Sequence, residues 1–190
     1  MSTQPLIPFE DFFAQLYFDK YTGKLSGLRL LDKETLIKMR PYELTYMGKL
    51  IESTFNIHRS TEKLNKANER QILDITNIIR KREKLKPLKW DERTSKVAYL
   101  HSKDMYENNY FSHESIKFGE LADRLEKGGV IYELAGENIA ANYIDAPAVV
   151  EGWLNSKGHR ESLLNDQFTH IGVGVFKKHY TQNFIKKWEQ

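Results

Sequence analysis

Three short segments carry side chains able to do chemistry: Tyr110-Phe111-Ser112-His113, Gly136-Glu137-Asn138-Ile139-Ala140 and Ser156-Lys157-Gly158-His159-Arg160. Together they offer two imidazoles and one carboxylate. Those groups can hold a zinc ion with one position left open, or run acid/base chemistry near neutral pH. Each segment also has a plainer reading. His113 follows a helix end and fits a surface turn. Glu137 fits a solvated carboxylate beside an Asn138 that shapes a turn. His159 fits the start of a short helix after Gly158. The three lie far apart in sequence, so only a fold that gathers them gives them meaning.

Other candidates carry weaker signals. His170, within Phe168-Thr169-His170-Ile171-Gly172, opens an expected strand and is either a further polar group near the cleft or an edge residue. Ser156 is a second cleft-lining candidate. His101 shares a helix face with Val97 and Met105, which reads as packing or hydrogen-bonded, and His58 and His179 have no supporting context. Ser112 and Ser156 each lie near a histidine, but no third member or nucleophile elbow supports a serine hydrolase. Arg80, Lys81, Arg82, Lys84, Lys86 and Lys89 form a basic run that suits an anionic polymer or membrane surface. Cations favouring a helix C-terminus are its plainer reading.

The elements that must position these residues follow from periodicity and punctuation. Phe12 to Phe18 and Leu25 to Leu31 read as strands joined by the turn Lys20-Tyr21-Thr22-Gly23-Lys24. Asp32 can cap a short helix ending before Pro41, and Tyr42 to Leu50 is weakly strand-like. Residues 1–57 form a small mixed segment, marginal as an independent unit, with 58–67 as linker and 68–190 as the main domain. Leu64, Ile72, Ile75, Ile79 and Arg82 fall near helical spacing, with Ile78 widening the apolar face, and Pro87 stops that helix. Asp91 caps a second helix ending near Asn108-Asn109, and Glu120 to Lys127 forms a third that closes at Gly128-Gly129. Glu133 to Ala141 reads as extended. Ala146 to Asn155 is helical, with Pro147 in its first turn. Phe168–Lys178 and Tyr180–Trp188 form two paired strands, and Gly172 and Gly174 alternate with Ile171, Val173 and Val175 as under a packed helix. Helices first and strands later predict an α+β, α-β-α sandwich with a small antiparallel sheet.

Composition limits the classes. The chain has 190 residues, 40% of them apolar and 29% charged, enough to bury a core and outside the range of disorder. The absence of cysteine excludes disulfide scaffolds, thiolate zinc sites and cysteine nucleophiles. A net charge of +3 does not argue for nucleic acid. No run is long enough to span a membrane, and the first residues lack the basic and apolar regions of a signal peptide.

With these motifs in view, residues 68–188 resemble the CAP superfamily (cysteine-rich secretory proteins, antigen 5, pathogenesis-related proteins), in its bacterial secreted branch. The matching stretches are Ala98–Met105, Tyr110–His113, Ala135–Ala140, Val150–Arg160 and Thr169–Val175, with Tyr180–Phe184 similar to the last strand. Residues 1–57 resemble the later part of the domain that precedes CAP domains in bacterial proteins, whose upstream half and export signal are then expected outside this sequence. The resemblance implies an α-β-α sandwich and a cleft lined by two histidines and two acids. His113 and His159 match the histidines and Glu137 the first acid. Ser156 stands where the second acid is expected, one helical turn after Trp153. It also implies an extracellular or cell-envelope location, with divalent metal binding, sterol or lipid binding, and proteolysis as family associations.

Three functions compete. The first is a binding module in which His113 and His159, with Glu137 as third ligand or orienting partner, hold Zn2+ in a cleft for a wall component, lipid or peptide. The second is a metal-assisted, peptidase-like hydrolase with Glu137 as candidate catalytic base. The third is an interaction domain whose cleft residues only stabilise the fold. With Ser156 replacing an acid, binding is favoured over catalysis.

Overall fold

The computed structural model describes residues 4–39, 45–46, 49–50 and 62–188. The chain divides into two compact units, one up to Ser60 and one from Thr61. His58 and much of Tyr42–Leu50 lie outside the described residues.

In the first unit, β1 (Leu6–Pro8), β2 (Phe12–Phe18) and β3 (Leu25–Asp32) form an antiparallel meander. The β2–β3 turn closes where Asp19 Oδ1 accepts the Tyr21 N–H and Gly23 takes φ +68°. Asp32 caps α1 (Lys33–Met39) as expected, accepting the Thr35 N–H at 2.7 Å. β4 (Thr45–Tyr46) and β5 (Lys49–Leu50) pair as a short antiparallel ladder.

The second unit holds α2 (Glu62–Arg82), β6 (Lys89–Trp90), α3 (Glu92–Glu107), α4 (Leu121–Lys127), β7 (Leu134–Ala141), α5 (Ala146–Leu154), α6 (Lys157–Leu163), β8 (His170–Phe176) and β9 (His179–Lys186). Residues 62–67, expected as linker, are the first turns of α2. The buried face of α2 is also shifted from the expected stripe. Leu64 and Ile78 are exposed, while Asn68, Glu69, Ile72, Leu73, Thr76, Ile79 and Arg80 are buried. Polar residues occupy core positions there because each has a partner inside. Asn68 accepts the Ala146 N–H, Glu69 accepts the Val175 N–H, and Thr76 accepts from Gln182. α6 is an element that no strong periodicity announced.

The sheet runs β6-β8-β9-β7. β8, β9 and β7 pair antiparallel, as expected, while the two-residue β6 joins β8 in parallel. Ile171, Val173 and Val175 point into a core with Ile72, Ile79, Val149, Val150, Trp153 and Phe184. Gly172 and Gly174 face α3. A Cβ on Gly172 would lie 2.1 Å from Ser95 N, and one on Gly174 1.9 Å from Tyr99 N. The α3 backbone therefore rests directly on β8, and Ser95 and Ser102 hydroxyls donate to the Val173 and Gly174 carbonyls at 2.7 and 2.9 Å. Asp91 is the N-cap of α3, as expected.

Three helices of this unit close in the same way. The Leu85, Tyr110 and Val130 N–H groups donate to the carbonyls of Arg80, Met105 and Leu125, five residues back. The left-handed residue of each turn is Lys84 (φ +62°), Asn109 (φ +52°) and Gly129 (φ +66°). Glycine adopts that conformation freely, asparagine tolerates it, and lysine is strained there.

Two substitutions separate these constraints. Gly174→Ala is expected to destabilise by about 3 kcal/mol or more, because backbone must move to admit the methyl. Lys84→Gly is expected to stabilise by about 0.5–1 kcal/mol. Urea unfolding checks both; an unchanged midpoint for Gly174→Ala contradicts the close approach.

Candidate functional site

Glu137 lies in the middle of β7, not in a turn as Gly136 and Asn138 suggested. Its cross-strand neighbours are Asn183 and then Gly172, so it points to the sheet face that α3 covers. Its side chain is 3% exposed. Arg124 of α4, equally buried, meets it in bidentate fashion, Nη1 to Oε2 at 2.9 Å and Nη2 to Oε1 at 3.1 Å. Burial alone would raise the Glu137 carboxyl. Hydrogen bonds from His113 and Arg124, with the charge of Arg124, outweigh it and hold the group below its ordinary value.

His113 Nδ1 lies 2.8 Å from Glu137 Oε1. A carboxylate only accepts, so Nδ1 carries a proton, and Nε2 is the nitrogen that bears the lone pair in the neutral ring. The His113 side chain is 59% exposed, so Nε2 belongs to the half of the ring that an outside partner can reach. The loop carrying it is fastened at three points. Arg124 Nη2 donates to the His113 carbonyl at 2.8 Å. His101 Nε2 donates to the Ser112 carbonyl at 3.0 Å. Asp104 accepts from the Tyr110 and Ser115 hydroxyls.

His159 sits in the first turns of α6, half-buried. Its carbonyl accepts from Asn138 Nδ2 at 3.1 Å. Asn138 points to the opposite sheet face from Glu137, and it also donates to Gln182, which donates to Thr76 of α2. That buried ladder ties α6 to β7. Burial first, and then the charge of His113, lower the pKa of His159.

The remaining candidates sort by place. Ser156 is the N-cap of α6, at the end of α5 and three residues from His159. His170 opens β8, two strands across the sheet from β7, bonded to Thr169 and influenced by Lys187, Asp91 and Lys89, near the start of α3. It does not join His113 and Glu137. His179 opens β9 against the Tyr106 ring. Among the described residues, no three histidine or acidic side chains are gathered as ligands of one ion. Both Glu137 oxygens already accept hydrogen bonds, so the side chains left to ligate a metal are the two imidazoles, with Glu137 as the orienting partner of His113.

Sequence reasoning missed Arg124, Asp104 and Asn138, and read His101 as packing or hydrogen-bonded without its role in fastening the loop. Arg124 gave no signal, being one cation on a short helix. Asn138 did: its neighbour in a strand faces the other way.

His101 is 1% exposed, and burial drives its pKa to about 4 against the opposing pull of Glu137. At neutral pH it is uncharged, so its 4.0 Å approach to Glu137 is not an ion pair.

A helix-flanked mixed sheet whose faces carry one histidine on a clamped loop and one on a short helix defines a CAP-type domain. Residues 73–186 match the family model described as the cysteine-rich secretory protein family, CAP, and residues 1–42 match a CAP-associated N-terminal model. The chain belongs to the CAP family, although it contains no cysteine. It is 53% identical over 188 residues to an uncharacterized membrane protein of Bacillus subtilis, YlbC, covering 99% of this chain and 54% of that protein. It is 44% identical over 123 residues to YkwD, an uncharacterized protein of the same organism, covering 64% of this chain and 48% of that protein. The chain thus spans about half the length of these curated relatives. A crystal structure of an extracellular SCP-domain protein from Bacillus anthracis superposes with TM-score 0.88 at 53% identity, over 97% of this chain and 60% of that one. A cysteine-rich secretory protein from Staphylococcus aureus gives 0.78 at 30% identity, over the same shares of each chain, 97% and 60%.

The His101 environment sets a pH dependence. Between pH 6.5 and about 4 the unfolded chain binds a proton at this residue and the folded chain does not. Stability therefore falls as pH falls through that window, by up to about 3 kcal/mol in total. Urea unfolding from pH 7 to 4 is expected to show a shallower decline in His101→Gln than in the wild type. Parallel curves contradict the assignment.

Proposed function

We propose that the larger unit is an extracellular or cell-envelope binding module whose cleft holds a divalent metal, Zn2+ foremost, between His113 and His159. The observation that carries this reading is the state of His113. Its Nδ1–H is committed to Glu137, Glu137 is committed to Arg124, and Nε2 stays available in an exposed ring. A carboxylate behind a ligating histidine fixes its tautomer and raises its basicity, a recurrent support for metal-bound imidazole. Zinc bound to two imidazoles keeps open positions, and there it would act as a Lewis acid toward an oxygen or nitrogen donor of a partner. A wall component, a lipid headgroup or a peptide each supplies such a donor.

The hydrolytic alternative needs a base to activate water. Glu137 is the candidate, yet both of its oxygens already accept hydrogen bonds from Arg124 or His113. Ser156 supplies no second carboxylate. Binding is therefore the reading these geometries favour. The extracellular setting draws on the description of the Bacillus anthracis neighbour, and a membrane-associated setting on the name of the Bacillus subtilis relative. Among the described residues, no helix is long and apolar enough to cross a membrane.

Thermal melting with and without zinc tests the proposal. At a hundredfold excess over Kd, binding adds about 2.7 kcal/mol, a rise of several degrees for a unit of this size. The rise is expected to vanish in His113→Ala/His159→Ala and to shrink without vanishing in Glu137→Gln. A full shift in the double variant sinks the metal site.

A further inference from the structure

Residues 81–89 read Lys-Arg-Glu-Lys-Leu-Lys-Pro-Leu-Lys. Five cations against one anion make this segment +4, while the whole chain is +3, so everything outside it is net negative by one. The segment lies on the second unit, across the end of α2, the turn that follows and the edge strand β6.

The cation just before it behaves differently. Arg80 is fully buried and donates to the carbonyls of Lys86, Leu163 and Asn165 at 2.8–2.9 Å. It fastens the turn to the end of α6, while Lys81, Lys84, Lys86 and Lys89 stay exposed. The helix dipole accounts for Lys81 and Arg82 in the last turn of α2. It does not account for Lys84, Lys86 and Lys89, which lie beyond the helix. Among the described residues, no carboxylate forms an ion pair with Lys81, Lys84, Lys86 or Lys89. Lys84 moreover holds a left-handed φ of +62° at a position where glycine is unstrained. Lys89 stands opposite His170 on β8, where the Lys187 charge is also felt.

We propose that this turn and edge strand are a docking surface for a linear, phosphate-bearing polyanion. Lysine ammonium groups on a fixed backbone suit phosphates as point charges without demanding one geometry. A membrane surface fits less well. The apolar members of the segment face inward, Leu88 being 3% exposed and Leu85 half-buried, so no large apolar side chain is left to enter an interface. The surface is separate from the His113–His159 cleft and does not rest on the metal reading.

Fluorescence anisotropy of end-labelled long-chain inorganic polyphosphate, titrated with the full chain at several salt concentrations, tests this. Affinity is expected to fall linearly on a log–log plot against salt. The variant Lys81→Ser/Lys84→Gly/Lys86→Ser/Lys89→Ser is expected to lose about tenfold or more in affinity at low salt and about two or more units of salt slope. A control of equal charge loss, Lys63→Ser/Lys96→Ser/Lys127→Ser/Lys177→Ser, is expected to stay within about threefold of wild type on the same counter-ion reasoning. Equal weakening by both variants overturns the proposal, since net charge alone then attracts the polymer. Binding to phosphatidylglycerol vesicles but not to polyphosphate also overturns it, in favour of a membrane surface. Both variants are expected to keep a cooperative thermal transition in the absence of zinc, which shows that they are folded whatever becomes of the metal reading.

Discussion

Glu137 is ionised inside the domain because Arg124 lies against both of its oxygens. Removing a carboxylate from water costs several kcal/mol. A planar guanidinium that meets it edge-on, two N–H groups to two oxygens, is the partner best able to offset that cost. The pair does more than neutralise itself. The same guanidinium reaches the His113 carbonyl, and the same carboxylate receives the His113 ring. One buried ion pair thus fixes both the backbone and the tautomer of the residue most exposed to a partner. Breaking such a pair by removing one member leaves an uncompensated charge and is far more damaging than its net contribution suggests.

That pair stands only where α3 lies close upon the sheet. Gly172 and Gly174 let the α3 backbone touch β8, which brings His101 to the Ser112 carbonyl and Asp104 to the Tyr110 and Ser115 hydroxyls. On the other face, Thr76, Gln182 and Asn138 carry a polar ladder to the His159 carbonyl. The His113 ring and the His159 backbone are therefore tied to the two faces of β7, each by a different buried network.

Much of this was legible in the sequence. Helix ends at Asn109 and Gly129, the Asp91 cap and the Gly172/Gly174 alternation all obey local rules, and local rules are what sequence displays. His113 and His159 were singled out by their motifs and by the family they resemble. The misses share one physical cause. Arg124, Asp104 and Asn138 matter through partners distant in sequence, and nothing in a short helix or a strand marks such partners. The shifted face of α2 has the same origin: Asn68, Glu69, Thr76 and Arg80 occupy core positions because distant groups satisfy them. His101, read as packing or hydrogen-bonded, is both, and its bond holds the loop that carries His113.

The central claim is that the two imidazoles bind the metal while Glu137 stays with Arg124. A crystal structure of the zinc-soaked protein, with the ion located by its anomalous signal, tests this most directly. The expected result is a peak bonded to His113 Nε2 and to the His159 ring, with the Arg124–Glu137 pair intact behind it. A peak coordinated by a Glu137 oxygen with Arg124 displaced, or zinc bound away from both histidines, would contradict it.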